Sequence, residues 1–197
     1  TGPCGPCSEL HYCLGVDEVD PRKFGEEPTP DGRGWFELWN LVFMQFDRQA
    51  DGRLVPLPAP SIDTGAGLER VCVVAQDVLS NYDTDLLRPV VDLASTISGK
   101  RYGASQSEDD VSMRVIADHA RTTAFLISEG IFPDRVGRPY VLRRVMRRAI
   151  RHGHRLGIGE PFLHECALRV VDDMGDIYPQ LRERLPALES DAMGMPR

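Results

Sequence analysis

The rhythm of hydrophobic positions changes part-way along the chain. Residues 35–48, WFELWNLVFMQFDR, are dense in aromatic and β-branched side chains and are bounded by turn formers, which predicts a buried strand. Asp51-Gly52 is a turn signal, and Pro56, Pro58 and Pro60 predict an extended connector up to Ser61. In residues 63–70, DTGAGLER, two glycines precede a helical apolar pattern at Leu68, Val71, Cys72 and Ala75. Everything downstream has helical spacing. Residues 83–98 are apolar at 86, 87, 90, 91, 93, 94 and 97. Residues 111–128 carry Ile116, Ala120, Ala124 and Ile127 on one side, with Gly130 placed as a C-terminal cap. Residues 1–34 are instead rich in Gly, Pro and charge, and 17–34 read as a long loop. No internal repeat is evident. A boundary near residue 82 separates a mixed, strand-containing part (1–82) from a helical part (83–197), an α+β organisation.

The clearest helix runs over residues 140–156. With Arg143 as origin and about 100° per residue, Arg143, Arg147, Arg151, Arg144, Arg155 and Arg148 fall within an arc of roughly 140°. Leu142, Val145, Met146, Ala149, Ile150 and Leu156 fill much of the other side. Such a helix buries one face and offers the other as a guanidinium strip.

Charge sharpens this picture. Between residues 135 and 155 stand eight arginines and no Lys, Asp or Glu, although the net charge is -7. The rest of the chain holds 15 of the 23 bases against all 30 acids. One basic island on an acidic protein points to a specific polyanion site, and arginine without lysine favours bidentate phosphate recognition. Nucleic-acid contact follows as an expectation, through Arg135, Arg138, Arg143, Arg144, Arg147, Arg148 and Arg151; a solvated face whose charges pair with acids elsewhere is the plainer alternative.

Composition narrows the class. An apolar share of 42% with 27% charged residues, over 197 residues, is ordinary for a globular protein and excludes collagen-like or disulfide-dense chains. The apolar run at 71–75 is far short of the roughly 20 residues of a membrane span. No secretory signal pattern is visible, and five cysteines fit free thiols in a reducing cytoplasm. The opening Thr1-Gly2-Pro3-Cys4 reads like the middle of a motif, so a piece of something longer is expected.

Three constellations carry candidate chemistry. Cys4, Cys7, His11 and Cys13 offer four S/N donors for a zinc site, or else a tight Gly-Pro turn with small semi-buried thiols. Gly65 and Gly67 permit close backbone approach of a ligand, with Arg70 just inside a helix start; a strand-end bulge and a surface Arg are the plainer alternative. Asp63 is placed to hold an ammonium group or to cap a turn.

In combination these segments resemble the alanyl-tRNA synthetase family. TGPCGPCSE (1–9), LWNLVFMQFDR (38–48), LPAPSIDTGAGLER (57–70), SNYDTDLL (80–87), RVIADHAR (114–121) and YVLRRVMRRAIRHG (140–153) follow in the family's order, and the likeness covers residues 1 to about 180. DTGAGLER is similar to the third signature motif of class II synthetases. The resemblance implies the C-terminal part of an antiparallel-sheet catalytic core followed by an all-helical domain that reads the tRNA acceptor stem. It implies activation of alanine with ATP and Mg²⁺ and transfer to alanine tRNA, in the cytoplasm and with no membrane. By position, Arg70 would grip the ATP γ-phosphate, with Gly65 and Gly67 against the nucleotide and Glu37 on the ATP–Mg²⁺ side. Asp63 would hold the alanine ammonium, and Asn40 and Val42 would line the side-chain pocket. Zinc would belong to the full-length enzyme, its ligands outside this chain.

The sequence departs from the family in three ways. The first two class II motifs are not among these residues. Arg135 and Pro139 replace the Asn and second Gly of the family's P-x-N-x-G-R-G-Y, an Asn implicated in sensing the G·U wobble pair. Residues 185–197 do not follow the family's continuation. A non-catalytic RNA-binding module derived from a synthetase is the alternative reading, and a small metal-binding domain a third.

Overall fold

The computed structural model describes residues 1–184 apart from Glu27, Pro30 and Asp31; the departure expected at 185–197 lies outside the described residues. The chain divides into two compact units, Thr1–Thr84 and Asp85 onward.

The first unit is built on an antiparallel sheet whose centre is the aromatic segment, β3 (Gly34–Arg48). Strand β1 (Gly2–Cys4) pairs with its C-terminal end and β2 (Cys7–Leu14) with its N-terminal two thirds. Strand β4 (Leu54–Ala66) also pairs with β3. The β3–β4 turn is the one read at Asp51-Gly52: Gly52 takes a left-handed φ of +87° and donates to Gln49 O at 3.0 Å.

The strands of this unit go beyond what the sequence marked. Within the Gly- and Pro-rich residues 1–34, for whose first part no element was expected, Gly2–Cys4 and Cys7–Leu14 are strands. Their alternation is present, with Leu10, Tyr12 and Leu14 on one face and Cys7, Glu9, His11 and Cys13 on the other, but Gly and Pro obscure where it begins. Gly5 shows what those residues are for: a Cβ there would lie 1.7 Å from Phe43 O, so only glycine lets the β1–β2 link run against β3. The proline connector is itself strand. Residues 57–60 stand opposite Gln45 alone, an irregularity between Met44↔Ser61 and Phe46↔Pro56, so Pro58 and Pro60 cost the ladder no bond. The expected loop over 17–34 holds, among its described residues, the short 3-10 helix Pro21–Lys23 and, at its last position, the start of β3. A helix α1 (Leu68–Ala75) closes the unit, followed by the 3-10 turn Asn81–Asp83.

The second unit is helical. It contains α2 (Arg88–Ser98), α3 (Glu108–Ser128), α4 (Gly137–Leu156), α5 (Leu163–Met174) and the short α6 (Gln180–Glu183). The helix expected from residue 83 starts later, at Arg88, because Pro89 belongs in a first turn where its missing N–H is no loss. Gly130 ends α3 as read: with φ +79° it donates to Ile127 O, and Ile131 donates back to Leu126 O. α3 is the hub, packed against α2, α4, α5 and α6. Met113, Ile116, Ala120, Ala124, Leu142, Met146, Ala149 and Cys166 are fully buried. The interior is close-fitting, since a Cβ on Gly153 would meet the Phe162 ring at 2.2 Å. Burial pushes the Cys166 thiol up to about 12, leaving it an inert core residue. Among the described residues no helix is long and apolar enough to cross a membrane.

Candidate functional site

In the first unit, strand register assembles the site. Paired residues of adjacent strands share a sheet face. Glu9 pairs with Asn40 and Asn40 with Gly65; two residues along, Cys7 pairs with Val42 and Val42 with Asp63. Asn40, Val42, Asp63 and Gly65, far apart in sequence, therefore lie on one face. Glu37 would fall on the opposite face of an unbroken strand. A bulge prevents this: the register shifts between Leu10 and His11, and His11 pairs with Glu37 on the site side.

Side-chain bonds order this face. Asn40 Nδ2 donates to Glu9 Oε1 at 3.1 Å, and His11 Nε2 donates to Glu9 Oε2 at 3.0 Å. A carboxylate only accepts, so Glu9 fixes the Asn40 amide with Oδ1 free to accept from a ligand. The Phe24 ring stacks at 4.8 Å from His11 and 5.1 Å from Trp35, walling the far end. Asp63 is exposed and forms no side-chain bond among the described residues. Gly65 also faces open space, with no atom within 4 Å of where a Cβ would be.

Arg70 sits in the first turn of α1. Its Nη1 donates to Glu37 O at 2.9 Å and lies 3.5 Å from Glu37 Oε2, while the guanidinium stands 5.6 Å from the Phe36 ring centre. Gly67 begins the helix without a side-chain cap, and a Cβ there would press on Arg70 Cγ and Cδ at 3.3 Å. Its glycine thus allows Arg70 to fold back towards β3. The arrangement offers a fixed cation with donors to spare, a nearby carboxylate, an open glycine and a free carboxylate two pairs away.

The thiols and His11 do not gather. Cys7, His11 and Cys13 are strung along an extended strand, which separates Cys7 from His11 by about 13 Å. Among the described residues no group of three or more His, Cys, Asp or Glu is placed to hold a metal ion.

In the second unit, α4 turns Leu142, Met146, Ala149, His152 and Leu156 inward. Its other side forms a groove of about 540 Å³ lined by Arg135, Tyr140, Arg143, Arg144, Arg147, Arg148 and Arg151. Arg138 is exposed in the first turn and does not line it. Behind the strip, the His119 ring donates to Asp118 at 2.8 Å; that bond, then the charges of His119, Arg121 and Arg148, hold the carboxyl below its usual range. Buried His152 pairs with Ser112 Oγ at 2.9 Å. Burial first, then Arg155 and Arg148, lower its pKa, so it stays neutral under the arginines.

Sequence reasoning passed over Glu9 as a site residue, read His11 only as a candidate zinc donor, and took Tyr140 only as the start of a helix. The period-two spacing of 7, 9, 11 and 13 and the helical spacing of 140 with 143, 144 and 147 were the available signals.

Residues 1–191 match the family model described as tRNA synthetases class II (A). The chain is 67% identical over 184 residues to an alanine–tRNA ligase of Sorangium cellulosum, covering 93% of this chain and 20% of that protein. It is 56% identical over 196 residues to one from Anaeromyxobacter dehalogenans (98% and 22%) and 55% identical over 187 residues to one from Anaeromyxobacter sp. Fw109-5 (93% and 21%). The chain spans about a fifth of the length of these relatives. With the family model matched over nearly all of its residues, the chain belongs to the class II (A) tRNA synthetases.

Proposed function

We propose that this chain is the alanine- and ATP-binding part of an alanine–tRNA ligase, joined to the start of its tRNA acceptor-stem domain. The observation that carries the reading is the single sheet face shared by Asn40, Val42, Asp63 and Gly65, with Arg70 clamped at its end. On this reading Asp63 takes the alanine ammonium and Asn40 Oδ1, aimed by Glu9, accepts a second of its protons. Val42 packs on the methyl group. Gly65 leaves room for the nucleotide to lie against the backbone, and Arg70 holds the distal phosphate.

Displacement at the α-phosphate needs positioning and charge neutralisation more than an acid–base pair. Mg²⁺ suits such a site, since it is usually held by one or two carboxylates plus substrate phosphates. Glu37, beside Arg70, is the carboxylate in position; the bound ion would neutralise charge on the departing pyrophosphate. The groove of α4 takes the acceptor-stem backbone through Arg143, Arg144, Arg147, Arg148 and Arg151, with Arg135 at its end and Arg138 nearby.

The test is Asp63→Asn in the intact enzyme. A charge-assisted bond to the ammonium contributes about 1.5–3 kcal/mol, so the KM for alanine should rise about tenfold or more while that for ATP barely moves. Equal effects on both substrates would assign Asp63 to the turn instead.

A further inference from the structure

The arginine groove contains one side chain that charge does not explain. On a helix wheel Tyr140 falls about 60° from Arg143, in the middle of the arginine arc. Positions 140, 143, 144, 147, 148 and 151 are each three or four residues from another of the set and line one groove. The Tyr140 ring is not core: the residue is 45% exposed. Nor does it shield a neighbouring cation. Among the described residues, guanidinium–ring pairs form at Arg70 with Phe36 and at Arg88 and Arg114 with Tyr102, and none involves Tyr140. Six arginines thus surround a bare aromatic face.

Guanidinium groups answer phosphates, but a flat ring answers another flat ring. Bases inside a duplex are already stacked on both faces, so beyond the end pair of a stem an unpaired base is what has a face to offer. We infer that Tyr140 is a stacking platform for an unpaired nucleobase flanking an RNA stem, held while the arginines grip the stem's phosphates. This rests on reading the α4 groove as an RNA surface. It adds base-stacking, which is insensitive to salt, to a contact that salt weakens.

The experiment compares binding of the intact protein to a hairpin RNA with a single-stranded 3′ overhang and to the same hairpin made blunt, across a salt series. Tyr140→Leu should weaken the overhang RNA about tenfold and the blunt RNA little, without changing the salt slope. Tyr140→Phe keeps the ring and should bind both like the unaltered protein, which also excludes a folding artefact. Arg147→Gln should weaken both RNAs and reduce the slope by about one. Equal weakening of both RNAs by Tyr140→Leu, or none, overturns the inference. A slope unchanged by Arg147→Gln overturns instead the reading of the groove as a phosphate track, whatever Tyr140 does.

Discussion

Asp110 and His152 show how single residues make the helical unit sensitive to acid. Asp110 is only 2% exposed, in the first turn of α3, where it accepts from Gly103 N, Ser105 N and Ser105 Oγ at 2.6–3.1 Å. Burial opposes its charge, but those bonds and Arg114 outweigh burial and lower its pKa. His152 is lowered too, by burial and then by the arginines around it. In both cases the unfolded chain binds protons more readily than the folded one. Their contributions are therefore complete above the unfolded values, about 6.5 for His and 3.9 for Asp, and are lost as pH falls below each. Denaturation midpoints measured against pH should decline in two stages, below about 6.5 and again below about 4. Asp110→Asn should shrink the lower stage, leaving the part that Asp118 contributes, and cost about 2 kcal/mol at neutral pH, because buried donors lose a charged acceptor. A lower stage undiminished by this substitution would place the acid-sensitive group elsewhere.

At the scale of the element, α4 divides its two tasks by face. Leu142, Met146 and Ala149 bury completely, which holds the helix against α3 and leaves the arginines no inward choice. If about four of them contact RNA phosphates, log affinity should fall with log salt at a slope of roughly -3 to -4, taking the duplex-DNA coefficient. A flat dependence, measured on an acceptor-stem hairpin, would make the strip a solvated surface. Strand β2 also sorts side chains by face, though not by burial: its even positions carry exposed Leu10 and Tyr12 and buried Leu14, and its odd positions carry the groups that order Asn40 and face Glu37.

For the molecule as a whole, the proposed chemistry has an uneven set of groups. On the proposed reading Asp63 and Asn40 would serve the amino acid and Arg70 the distal phosphate, while the resemblance implies an α-phosphate arginine in the second motif, which is not among these 197 residues. In-line displacement needs both sides of the nucleotide fixed to a fraction of an ångström. β4 moreover exposes Leu54, Val55 and Ile62 in this chain, apolar surface that invites association. The 197-residue chain by itself is expected to show no alanine-dependent ATP–pyrophosphate exchange above background, with the intact synthetase as control. Measurable exchange would mean that the site is more self-contained than its motifs imply.

Much of this was legible in the chain itself. Periodicity alone determined the helices α3 and α4 and the arginine face, because each is a local pattern whose buried side is written every three to four residues. The density of aromatic and β-branched residues marked β3 as a strand, but its residues are half-buried or exposed rather than buried. DTGAGLER and its companions determined the family through their order. What only tertiary structure decided is who stands beside whom. Asn40 next to Gly65, and Val42 next to Asp63, depend on a hairpin register set by the residue excess at 57–60. Glu37 reaches the site face only through a bulge at Leu10/His11, and no one-dimensional pattern shows on which side of a strand a residue emerges after a bulge. Glu9 becomes the residue that aims Asn40 because β2 lies beside β3, a pairing made across 31 positions of sequence. Local spacing records which face of an element is buried; the pairing of distant elements, which assembles a site, is settled by packing that no window of neighbouring residues contains.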